Sequence, residues 1–136
     1  MNYVLDACAL ISYFNEEEGY DKIVALIDKA EDGQVNVLIH GINLFEVHYD
    51  LLRSGGDNVV NVTLTTLNDS SITIIDTVSE DIRTEAARFK TKYKVSVADA
   101  FALATAKLQD ATLVTSDHHE FDPIDAAGEL RFLWIR

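Results

Sequence analysis

The chain has 136 residues, of which 48% are hydrophobic, one cysteine and a formal net charge of −12. That length makes one ordinary domain, 1–136, able to bury roughly 68% of the surface its unfolded form exposes, which excludes a disordered tail and a fold that needs staples. Cys8 alone allows no intrachain disulfide, and 23 acidic residues against 11 basic ones argue against broad adhesion to nucleic acid.

The opening stretch from Met1 to Phe14 is apolar but has no basic start and carries Asp6 in its middle, unlike a secretory signal. No apolar run approaches the ~18 residues that cross a bilayer. A cytoplasmic protein without membrane attachment is expected.

Tyr3 to Leu5 is predicted to form a short buried strand, followed by a helix over Cys8 to Phe14. Glu17 to Glu31 follows as an amphipathic helix with Tyr20, Ile23, Val24 and Ile27 on one face, stopped by Gly33. Val35 to Ile39 is the second strand. Asn43 to Arg53 is helical and ends at Gly55-Gly56. Asn58 to Asn68 fits a strand by propensity and a helix by context. Ile72 to Ile75 is the third strand. Ser79 to Lys92 is a helix for which Thr77-Val78-Ser79-Glu80 offers a capping box. Val97 to Leu108 is another helix, Thr112 to Val114 a fourth strand and Arg131 to Ile135 a fifth. Strands separated by helices imply a parallel sheet covered on both faces, an α/β fold in which ligands bind beyond the carboxyl ends of the strands.

Four acids fall where a strand ends or a helix begins. Asp6 follows the first strand and serves equally as a helix N-cap. Glu46 stands three after Asn43, an N-x-x-E spacing that also reads as a cap. Asp99 follows Ser96 in another capping pattern. Its helix is apolar nearly all round and therefore buried, and a carboxylate there needs compensation. Asp117 follows the fourth strand, where a turn or cap is the ordinary duty. The combination carries more than its parts, because these chain positions converge in a doubly wound sheet. Clustered carboxylates repel one another. A hard divalent ion with oxygen ligands, Mg²⁺ or Mn²⁺, would remove the conflict and suit phosphodiester hydrolysis.

The segments Tyr3-Val4-Leu5-Asp6-Ala7-Cys8-Ala9-Leu10, Asn43-Leu44-Phe45-Glu46-Val47, Val97-Ala98-Asp99-Ala100-Phe101-Ala102-Leu103-Ala104 and Val114-Thr115-Ser116-Asp117 resemble the four signatures of PIN-domain ribonucleases. The closest type is the toxin of VapBC toxin–antitoxin systems. The resemblance spans nearly the whole chain. It implies a three-layer α/β/α fold with a mainly parallel sheet of four to five strands. It implies Mg²⁺ or Mn²⁺ held by Asp6, Asp99 and Asp117, with Glu46 completing the cluster, and cleavage of RNA by activated water. Homodimerisation and inhibition by an antitoxin whose tail occupies the active-site groove are implied as well. Thr115 matches a hydroxyl residue expected to orient Asp117. The chain departs from the pattern at Cys8, where related sequences often carry Ser, Thr or Asn, so support of Asp6 from that position is in question.

Arg88, Lys92 and Lys94, with Lys90 and Tyr93, form a basic strip that reads either as a phosphate-contacting surface or as a solvated helix end. His118-His119 lacks partners at zinc-ligand spacing and is expected in a loop, as is Asp122 in a capping turn before Pro123. Glu16-Glu17-Glu18 reads as the solvated start of a helix, and Cys8 as a small buried side chain. Asp6-Ala7-Cys8 lacks the second acid of a haloacid-dehalogenase-like phosphatase, Val114 to Asp117 lacks the lysine of a receiver domain, and no Gly-rich phosphate loop is present. The remaining alternative is a PIN-like module that binds a protein and cuts nothing.

Overall fold

The computed structural model describes residues 1–136. Five strands, β1 (Asn2–Leu5), β2 (Asn36–His40), β3 (Ile72–Ile75), β4 (Ala111–Thr115) and β5 (Arg131–Trp134), pair in the order β3-β2-β1-β4-β5, every pair parallel. The helices are α1 (Ala7–Phe14), α2 (Tyr20–Glu31), α3 (Gly41–Asn68), α4 (Glu80–Lys92), α5 (Val97–Leu108) and α6 (His118–Ala126).

Alternation along the central strands builds two cores. Leu5 and Val114 face one layer with Ile23 and Val47, while Val4 and Leu113 face the other with Phe89, Leu103 and Phe121. Helices α1 to α3 supply the first layer and α4 to α6 the second, the three-layer arrangement implied by the resemblance. Because β1 and β4 are adjacent but their connections leave to opposite faces, a crevice opens where their carboxyl ends diverge.

Most predicted elements are present, with four differences. The stretch 58–68 is helical and continues α3, which breaks only at Gly56, whose positive φ of 77° no ordinary side chain adopts easily. Helix α2 begins at Tyr20 rather than Glu17, because Gly19 turns the chain at φ 92°, and Glu17 instead meets the Arg136 guanidinium at 3.4 Å. His118, His119 and Asp122 belong to α6 rather than to a loop, since Asp117 caps a helix there that sequence patterning missed. The cap of α4 is Ser79, not Thr77: its Oγ accepts the Ile82 N–H at 3.2 Å.

Candidate active site

Asp6 leaves the end of β1 directly into α1. Its Oδ1 accepts the Ala9 N–H at 2.8 Å, so the cap expected of it is made. Its Oδ2 accepts the Thr115 hydroxyl. Asp117, at the end of β4, likewise caps α6 through the Glu120 N–H at 3.1 Å. Thr115 Oγ1 also accepts the Asp117 N–H at 3.0 Å. The hydroxyl therefore grips the carboxylate of Asp6 and the backbone of Asp117, whereas the sequence pattern assigned it the Asp117 carboxylate. This double contact ties together the ends of two neighbouring strands.

Asp99 comes in from the opposite layer. Ser96 caps α5 by accepting the Asp99 N–H at 3.1 Å and so sets the carboxylate in the helix's first turn. Glu46 comes from α3. The cap of that helix is His40, whose Nδ1 accepts the Ile42 N–H at 3.1 Å, so Asn43 is not the cap its spacing suggested. Asn43 is instead fully buried and donates to the Ala98 carbonyl at 3.0 Å, clamping α3 to the turn that carries Asp99. No sequence signal distinguished this bridging amide from a cap.

The four acids line one open cleft of about 530 Å³, together with Cys8, Phe45 and Tyr49. Arg88, Lys92 and Lys94 do not line it. Arg88 and Lys92 reach Glu129, at 3.1 and 3.3 Å, and Tyr93 donates its hydroxyl to the same carboxylate. Glu129 lies just before β5 and thus at the amino edge of the sheet, away from the carboxyl edge that holds the cleft. Cys8 is exposed in the cleft rather than buried. Enclosure by the cleft walls and the charges of Asp6, Asp117, Asp99 and Glu46 push its thiol up to about 12.

The electrostatics are those of charges that need a counterion. Burial, only partly offset by Thr115 and Ala9 and reinforced by Asp99 and Asp117, raises Asp6 from 3.8 to about 7. Burial against the support of Ser96, with Asp117 and Glu120 adding, raises Asp99 to about 6. Burial and then Asp99 raise Glu46 as well. No three side chains close into a finished ligand shell as they stand. The donor set nevertheless fits a hard divalent cation: it is all carboxylate oxygen, and Asp6, Asp99 and Glu46 are held in a proton-seeking state that a cation would relieve.

A family model described as the PIN domain matches residues 3–127. Among curated proteins none matches the sequence. Several solved structures share the fold. VapBC2 of Rickettsia felis, bound to a fragment of promoter DNA, aligns at a TM-score of 0.76 with 20% identity over 98% of each chain. VapBC-1 of nontypeable Haemophilus influenzae aligns at 0.74 with 15% identity over 99% of this chain and 98% of that one. VapC20 of Mycobacterium tuberculosis, a toxin that cleaves the sarcin-ricin loop, aligns at 0.67 with 14% identity over 93% and 95%. With a family model matched over nearly its full length, and with four acids gathered at one sheet edge, this chain belongs to the PIN domain family.

Proposed function

We propose that the protein is a divalent-metal-dependent endoribonuclease, the toxin of a toxin–antitoxin pair. One observation supports this above the others: Asp6, Glu46, Asp99 and Asp117, from four separate segments, line a single cleft. In this reading Asp6, Asp99 and Asp117 hold Mg²⁺ or Mn²⁺, and Glu46 completes the acidic wall. When bound, such an ion supplies Lewis-acid polarisation of the phosphoryl oxygen and a more acidic water. The chain's own part is positional. Thr115 fixes the Asp6 carboxylate, Ser96 and Asn43 fix the helices carrying Asp99 and Glu46, and the openness of the cleft admits a polymer.

The toxin assignment draws on relatives of the same fold described as toxin–antitoxin complexes, including one from Klebsiella pneumoniae. An antitoxin partner, a homodimeric state and a cytoplasmic setting belong to the same proposal. The half-exposed Val97 beside Ala87 and Phe101, between α4 and α5, gives self-association an apolar face. No helix of the chain is long and apolar enough to cross a membrane.

The test is cleavage of RNA with Mn²⁺, with EDTA, and by Asp99→Asn in Mn²⁺. Activity is expected in the first alone, with the variant still folded by circular dichroism. Equal cleavage in all three refutes the proposal, and failure of manganese to bind in titration calorimetry favours a module that cuts nothing.

A further inference from the structure

Two large aromatic side chains stand in the catalytic cleft without a structural duty. Phe45 is 65% exposed and Tyr49 59%, and both line the cleft beside Glu46. They are four residues apart on α3, the spacing that sets side chains next to each other on one helix face. Neither ring pairs with another aromatic of the chain, whereas Phe89 and Phe121 are fully buried. Leu52 continues the same exposed face but does not line the cleft, so the aromatic members of this face are the ones inside it.

The charges of the cleft say how a polyanion must be held there. Its lining carries six carboxylates and no lysine or arginine. Arg53 bonds one of them, Asp50, at 2.6 Å, and is not itself part of the lining. Release of counterions by cationic side chains is the ordinary source of affinity for nucleic acid, and it is missing from this surface. Stacking of a base on an aromatic ring needs no charge and tolerates any base. A base inside a duplex has both faces covered, so a ring platform engages only bases that are unpaired or splayed out.

We infer that Phe45 and Tyr49 form a stacking platform for unpaired bases next to the scissile phosphodiester, so that the cleft binds its substrate strand through bases rather than through phosphates. This rests on the ribonuclease reading above. The competing occupant is the apolar face of a protein partner, and the experiment separates the two.

The protein is mixed in stopped flow, in Mg²⁺, with a single-stranded RNA oligonucleotide carrying 2-aminopurine, and steady-state KM and kcat are measured with the same strand. Phe45→Ala and Tyr49→Ala are each expected to raise KM about tenfold with kcat within about twofold, and to abolish the rapid fluorescence quench that stacking produces. Tyr49→Phe keeps the ring and restores both. Raising NaCl from about 50 to about 200 mM leaves KM flat or lowers it, the reverse of a basic cleft. Both side chains are solvent-exposed, so circular dichroism melts are expected to match the wild type. Wild-type KM and quenching in both alanine variants overturn the platform and leave the rings to a protein partner. Quenching that the alanine variants lose, with no cleavage by the wild type, leaves the platform standing and removes the ribonuclease reading.

Discussion

Asp6→Asn is expected to stabilise the metal-free protein at alkaline pH while destroying its function. Asp6 is 2% exposed, and burial moves its proton affinity from the ordinary 3.8 to about 7. Below about pH 4 the folded and unfolded chains both hold this proton, and the carboxyl costs nothing. Between the two values the unfolded chain releases it and the folded chain keeps it, so stability falls as pH rises and the loss is complete above about pH 7. At about 1.4 kcal/mol for each pH unit of that interval, the loss approaches about 4 kcal/mol. Asparagine carries no charge to lose. Its Oδ1 can still accept the Ala9 N–H that caps α1, but the Nδ2 that replaces Oδ2 cannot accept the Thr115 hydroxyl, a cost of about 1 kcal/mol. The variant is therefore expected to be slightly less stable than the wild type at pH 4 and more stable by about 2–3 kcal/mol at pH 8, a Tm gain of roughly 10 °C for a domain of this size. The assay is thermal unfolding followed by circular dichroism in EDTA, from pH 4 to 8. Two curves that stay parallel across the interval would refute the reasoning, because they would mean that Asp6 carries no buried charge. Adding Mn²⁺ at pH 8 is expected to raise the wild-type Tm and leave that of the variant nearly unchanged.

Thr115→Val keeps the shape of a fully buried side chain but removes the donor to Asp6 and the acceptor of the Asp117 N–H. It is expected to cost about 2 kcal/mol in denaturant unfolding and to weaken Mn²⁺ binding by calorimetry, with an unchanged manganese affinity counting against a positioning role. Glu129→Gln removes the charge shared by Arg88, Lys92 and Tyr93. Since these groups stand away from the cleft, kcat/KM is expected to stay within about twofold and stability within about 1 kcal/mol; a large change in RNA cleavage would return the basic strip to the substrate path.

The elements with a strong period were legible in the sequence, and so was the sheet, because strands buried on both faces read as short apolar runs between helices. What was not legible depended on partners distant in the chain. Helix α6 carries too few apolar residues to announce itself and contains Pro123; its start is set by Asp117 and its packing by Phe121 and Ile124. The join of 58–68 to α3 turns on the single backbone conformation of Gly56. Cys8 looked like core by residue type, yet its position in the first turn of α1 points it into the cleft. The basic strip reads in sequence as either a substrate surface or a solvated helix end, and what decides against the first is Glu129, some forty residues later, which holds Arg88, Lys92 and Tyr93 away from the cleft.

For the acids themselves, the cap and the proposed metal ligand are one placement rather than competing readings. Asp6 and Asp117 cap α1 and α6, and Asp99 lies in the first turn of α5. Capping requires each carboxylate to face the unpaired N–H groups at a helix start, and in a parallel sheet with right-handed crossovers such starts follow the carboxyl ends of the strands. Asp6 and Asp117 are thereby delivered to the same crevice by the geometry that folds the chain, and the partial positive charge of each helix start lowers the cost of bringing their charges together. The cost is not removed: burial first, and the neighbouring carboxylates after it, hold Asp6 and Asp99 above their ordinary values. Local capping thus supplies the positions, the switch in strand order supplies the convergence, and the unrelieved burial and repulsion of the charges would supply the affinity of the proposed site for a cation. For Asp6 these contributions separate experimentally. Asparagine keeps the cap and loses the charge, whereas alanine loses both, so Asp6→Ala is expected to be less stable than Asp6→Asn by about 1 kcal/mol at every pH. A difference between the two variants that grew with pH would show that the lost cap also changes how the neighbouring Asp99 carboxylate is held, and would refute a purely local capping role.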